Sequence, residues 1–74
     1  MFVTPATDRS PDELSERELA VLRLLPTELS QRQIGDELFV SVNTVKSHTR
    51  SIFRKLGAGG RDEAVSRARQ IGLL

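Results

Sequence analysis

Residues 30 to 57 leave this chain few choices of fold. Ser30 is followed three residues later by Gln33, the capping-box spacing that opens a helix, and Ser41 offers a second N-cap before a longer run closed by Gly57. The stretch predicts a short helix over 31–38, a turn of about three residues, and a longer helix over 42–56. With Val45 set at zero and about 100° per residue, Thr49, Ile52 and Leu56 fall within about 40° of it. Asn43, Lys46, Ser47, Arg50 and Arg54 fall on the opposite arc, from about 100° to 200°. One face of the longer helix is written to be buried and the other to stay outside.

The flanking segments supply what buries that stripe. Ser15 with Glu18 forms another capping box, Leu14 and Leu19 suit a hydrophobic staple, and Pro26 stops the helix near Leu25. Leu14, Val21, Leu22 and Leu25 make its apolar stripe. After the flexible connection Gly57-Ala58-Gly59-Gly60, a last helix is expected from Arg61 to Ile71, with Asp62 and Glu63 favourably placed in its first turn. Its inward stripe reads Ala64, Ala68 and Ile71, and Gly72 ends it. The expected fold class is therefore all-α, a compact four-helix bundle containing a helix-turn-helix, with helices over roughly 16–25, 31–38, 42–56 and 61–71. Ile34, Leu38, Val40 and Val45 are the expected buried contacts that set the angle of the helix-turn-helix. Gly35 inside its helix costs about 1 kcal/mol against Ala, so close approach of another helix is expected there. Residues 1–13, with Pro5 and Pro11, read as a flexible tail or interdomain linker, and 14–74 as the folded domain.

Composition removes whole classes of function. The 74 residues include no Cys and a single His, so aliphatic side chains and the three Phe must supply the core. One His, no Cys and no Gly-rich phosphate loop leave no catalytic constellation, and no metal or cofactor is expected. His48 lies about 60° from the buried stripe with no ligand-spaced companion, which is the placement of a packing histidine. No apolar run approaches the roughly 20 residues of a membrane span, and the N-terminus lacks a signal-peptide pattern. A cytoplasmic protein with no membrane partner is expected.

Charge is sorted along the chain. Residues 1–38 hold eight acids and four bases, residues 39–61 hold five bases and no acid, and residues 62–74 balance. The net charge of +1 hides this polarity. A helix whose charges are all Lys and Arg, following a tight turn, is built to face an anionic partner.

These residues resemble a known family. Leu14-Ser15-Glu16-Arg17-Glu18, Leu29-Ser30, Ile34-Gly35, Thr44-Val45-Lys46-Ser47-His48, Ile52-Phe53-Arg54-Lys55-Leu56-Gly57, Arg61 with Glu63-Ala64, and Gly72-Leu73-Leu74 resemble the DNA-binding domain of LuxR/GerE-type bacterial transcription regulators. The wording around Leu25-Pro26-Thr27 and Ser41-Val42-Asn43-Thr44 is similar to C-terminal domains of large ATP-binding regulators like the maltose-regulon activator. The chain departs from the family at Pro26-Thr27-Glu28, where a Gly is common near 28, and at Gly35, where Ala is usual. Neither departure is expected to alter the fold.

The resemblance implies sequence-specific binding of double-stranded DNA, with helix 42–56 in the major groove. Lys46, Ser47 and Arg50 match positions that reach base edges, and they also lie on the outward arc; Asn43 is a fourth candidate reader. Ser41, Thr44, Arg54 and Lys55, with Gln31 and Arg32 as weaker candidates, are expected at phosphates. Lys55 falls near 280°, off the reading arc, which suits backbone steering or solvation. Ser41 is a helix cap first. Family members dimerise through the last helix, so Val65, Ala68 and Arg69 are the interface candidates, with RNA polymerase a candidate further partner. The competing reading is a helical interaction module whose basic face meets an acidic protein.

Overall fold

A computed structural model of the chain describes residues 13–74. The expected N-terminal tail, apart from Glu13, lies outside the described residues, as does Phe2. Among the described residues four helices follow in order: α1 (Glu16–Leu24), α2 (Gln31–Leu38), α3 (Val42–Leu56) and α4 (Arg61–Gln70). The bundle is all-α, as its local signals predict, and α2, the turn at 39–41 and α3 form the helix-turn-helix. α3 is the central element and packs against each of the other three.

The starts of the helices are written in short-range hydrogen bonds. At α1, Ser15 Oγ accepts from the Glu18 N–H at 3.1 Å and Glu18 Oε1 accepts from the Ser15 N–H at 2.8 Å. Ser30 and Gln33 repeat the exchange at α2, at 3.2 and 2.8 Å. Ser41 Oγ accepts from the Thr44 N–H at 3.1 Å and opens α3. Each bond satisfies a backbone N–H that the first turn of a helix leaves without a partner, worth about 1 kcal/mol per cap. α4 starts on Gly60, which has no side chain to cap with, and Glu63 Oε1 instead accepts from the Gly59 N–H at 2.7 Å.

The ends of α2 and α3 share one geometry. At α3, Gly57 is left-handed (φ 66°), and the Ala58 N–H reaches back to the Phe53 carbonyl at 2.8 Å. At α2, the Val40 N–H reaches the Gly35 carbonyl at 2.9 Å, and the left-handed residue is Phe39 (φ 60°). Both are the six-to-one closure that turns a chain sharply out of a helix. Gly57 adopts it without a Cβ penalty, whereas Phe39 carries the cost of a bulky residue at positive φ.

The core joins Leu14, Val21, Leu22 and Leu25 to Ile34, Val45, Ile52 and Ala68, all buried, with Leu19, Leu24, Leu29, Leu38, Val40, Phe53, Leu56 and Val65 packed around them. Fully burying an aliphatic side chain of this size stabilises by about 1.5–3 kcal/mol. Three expectations need correction. Phe39 does not join the core: it is 94% exposed, because the left-handed turn carries its side chain out into solvent. Ile71 is not on the inward stripe of α4; the helix ends at Gln70, and Ile71 is 63% exposed. Gly35 is needed chiefly for the turn: an added Cβ would stand 2.7 Å from the Val40 carbonyl oxygen, with Val45 Cγ2 of α3 next at 3.4 Å. The chain folding back after α2 comes closer than the neighbouring helix.

Candidate nucleic-acid interface

α3 presents its two faces as the helical wheel requires. Val45, Thr49 and Ile52 are buried, whereas Asn43, Lys46, Ser47, Arg50 and Arg54 are all exposed. The side chains of Lys46, Arg50 and Arg54 have no ion-pair or hydrogen-bond partner among the described residues, so their charges are directed at no acid among them. Arg32, exposed on the first turn of α2, is likewise without such a partner among them.

At the head of α3, the Ser41 and Thr44 hydroxyls lie 3.0 Å apart while Ser41 Oγ also accepts the Thr44 N–H. Two hydroxyls carry two hydrogens and one lies between them, so one O–H donor is left for an outside acceptor. Ser41 is exposed and Thr44 half-buried, and the cap and an outside hydrogen bond are compatible. The amides at the N-termini of α2 and α3 each add partial positive charge.

Lys55 requires a correction. Expected at phosphates, it is folded onto the body of the bundle: Nζ lies 2.9 Å from Glu18 Oε1 and donates to the Glu13 carbonyl at 3.1 Å. Its place near 280° on the α3 wheel points it toward the head of α1. Glu18 is 5% exposed and also accepts a hydrogen bond from the Ser51 hydroxyl. Burial pushes the Glu18 pKa up, but bonds from Ser51, the Ser15 N–H and Lys55, with the Lys55 charge, outweigh it and lower the value from 4.5 to about 2. The pair ties α1 to α3, and the Lys55 charge is met within the bundle by Glu18.

His48 is half-buried and lines a small dimple of about 50 Å³ with Arg17, Ala20, Val21, Leu38 and Val40. It packs, as expected. Among the described residues no cluster of three His, Cys, Asp or Glu side chains could hold a metal ion, and no helix is long and apolar enough to cross a membrane.

The proposed pairing surface on α4 is also altered. Ala68 is fully buried against the core and cannot lie at an interface. Val65 is half-buried and Arg69 exposed, and both border an open cleft of about 480 Å³ that reaches Leu25, Pro26 and Arg61. That cleft shares no residue with the outward arc of α3.

Arg61 has a role that the sequence reading passed over. Its Nε donates to the Leu25 carbonyl at 2.8 Å, and Nη2 donates to the carbonyls of Thr27 at 2.9 Å and Leu24 at 3.4 Å. The guanidinium closes the end of α1, where carbonyls lack helical partners, and ties it to the start of α4. A cation at a helix N-terminus opposes the dipole of its own helix, and that misplacement is the signal that could have revealed it.

Comparison with known proteins agrees with this geometry. The pattern of the family described as bacterial regulatory proteins, luxR family, matches residues 12–68. The chain is 43% identical over 73 residues to the HTH-type transcriptional activator RamA of Corynebacterium glutamicum, covering 99% of this chain and 26% of RamA. It is 44% identical over 66 residues to the transcriptional regulatory protein YdfI of Bacillus subtilis, covering 89% of this chain and 31% of YdfI. Against the HTH-type transcriptional regulator MalT of Serratia proteamaculans it is 43% identical over 58 residues, covering 78% of this chain and 6% of MalT. The crystal structure of the response regulator ChrA, of a heme-sensing two-component system, superposes with a TM-score of 0.81 at 40% identity, over 95% of this chain and 34% of ChrA. The chain thus spans between 6% and 34% of the length of these relatives. With the pattern matched across most of its length and the helix-turn-helix built as described, the chain belongs to the luxR family of bacterial regulatory proteins.

Proposed function

We propose that residues 14–74 form the DNA-binding domain of a transcription regulator, the output module of a longer protein, and that residues 1–13 link it to the rest. In this reading α3 lies in the major groove of double-stranded DNA and reads sequence there, which places the protein in the cytoplasm. The carrying observation is the outward face of α3, where Asn43, Lys46, Ser47, Arg50 and Arg54 are exposed and the three cations lack acidic partners among the described residues. Arg50 and Lys46 suit guanine O6 and N7, Asn43 suits adenine N6 and N7, and Ser47 suits either. A good bidentate pair discriminates against a wrong base by about 1–3 kcal/mol. Arg54, Arg32, the spare hydroxyl of the Ser41–Thr44 pair and the α2 and α3 amides grip phosphate. No step of this reading is catalytic.

Pairing through α4 follows from the size of the module. One short recognition helix makes few contacts, and two copies gain affinity and read two half-sites. Val65 and Arg69 are the residues placed for it.

Selection of bound duplexes from a random library tests the proposal. A palindromic consensus is expected, with affinity falling steeply with salt as phosphate contacts release counterions. Absence of DNA binding at low salt would overturn it in favour of a protein partner for the basic face.

A further inference from the structure

The Gln31 side chain, expected above among the phosphate contacts, is engaged with α3. Its Nε2 donates to Thr49 Oγ1 at 3.4 Å. Thr49 is 4% exposed on the buried stripe of α3, and its own hydroxyl donates to the Lys46 carbonyl at 2.9 Å. A hydroxyl has one hydrogen to give and two lone pairs to accept with, so the two bonds are compatible. A chain of hydrogen bonds therefore runs from the first residue of α2, through a buried hydroxyl, to the backbone of α3 at Lys46. Arg50 is the next residue after Thr49.

Among the described residues this is the one side-chain hydrogen bond between α2 and α3. The rest of their contact runs through apolar groups such as Ile34, Val45, Leu38 and Val40. Apolar burial is non-directional and tolerates small sliding or rotation, whereas a hydrogen bond holds a distance and an angle. The Thr49 hydroxyl is bonded back to its own helix one turn before, beside the outward side chains.

We infer that Gln31 is a positioning residue, which acts through Thr49 to fix where α3 stands relative to the N-terminus of α2. This rests on the DNA-reading assignment of α3. The α2 N-terminus holds phosphate and the α3 face reads bases, so their separation decides whether both can be engaged in register. Gln31 thereby supports discrimination between sequences more than overall grip.

A double-mutant cycle tests this on two duplexes, one selected from a random library and one of random sequence. Gln31→Ala and Thr49→Val are each expected to weaken binding to the selected duplex by about threefold to tenfold and to the random duplex by less than about twofold. The double variant is expected to be no weaker than either single one, and Thr49→Ser, which keeps the hydroxyl, to bind like the parent. Thermal unfolding is followed in parallel, because a reduced folded fraction would weaken both duplexes alike and leave their ratio unchanged. Equal losses on both duplexes, or single effects that simply add, would overturn the inference and return Gln31 to a phosphate contact. A parent chain that does not distinguish the two duplexes would overturn the reading of α3 beneath it.

Discussion

Lys55 Nζ sits 2.9 Å from Glu18 Oε1, joining the last turn of α3 to the head of α1 within a bundle that has no disulfide. The same carboxylate closes the α1 capping box and accepts from Ser51, so one side chain serves helix initiation and tertiary packing together. The pH dependence of folding follows. Glu18 titrates at about 2 in the folded chain, below its ordinary 4.5. Its contribution is complete above the ordinary value and is lost as pH falls toward the folded one. Chemical denaturation is expected to show stability falling between about pH 5 and pH 2, by roughly 3 kcal/mol from this group. Glu18→Gln should lower stability at pH 7 and flatten that slope.

Lys55 and Arg54 are neighbours with separate expected effects. Lys55→Met removes the partner of a buried carboxylate and is expected to cost about 2–4 kcal/mol of stability. The salt dependence of DNA binding should be unchanged. Arg54→Ala is expected to change stability by less than about 0.5 kcal/mol and to reduce the salt slope by about one unit. Urea melts and salt titrations of both variants check the pair.

Gly35→Ala should destabilise the chain, although helix propensity alone would have it gain about 1 kcal/mol. The new Cβ meets the Val40 carbonyl oxygen at 2.7 Å, and that oxygen belongs to the turn backbone, which cannot rotate aside like a side chain. A net loss of about 1–2 kcal/mol is expected in urea denaturation.

Phe39→Gly should act in the opposite direction. The residue is left-handed at φ 60° and almost wholly exposed, so Gly relieves backbone strain and gives up little packing. The left-handed conformation costs about 1–2 kcal/mol for an L-residue, and Gly returns about half of that through the entropy of the unfolded chain. A gain of up to about 1 kcal/mol in thermal or urea melts is expected.

These variants also show what the sequence makes legible. Helix starts were readable because Ser15 with Glu18 and Ser30 with Gln33 act across three residues. The outward arc of α3 was readable because helical geometry alone sorts Val45 from Lys46 and Arg50. The missed features have partners set by tertiary folding. Lys55 finds Glu18 from 37 residues away, and Arg61 finds the end of α1 from a similar distance. The α2 exit was missed for another reason: Phe39 fills a left-handed position where the usual signal is Gly, as at Gly57. Ala68 has the right periodicity for either an interface or a core, and only the packing of α4 on α3 decides between them.

The central claim is that the outward face of α3 reads bases, and Arg50→Ala tests it most directly. Binding of the parent and variant is measured on a library-selected duplex and on a random duplex at one salt concentration. Loss of a bidentate guanine contact is expected to weaken the selected duplex by about tenfold or more, while the random duplex changes by only about twofold to threefold. Equal weakening on both duplexes would show Arg50 to be a phosphate contact and would contradict the account.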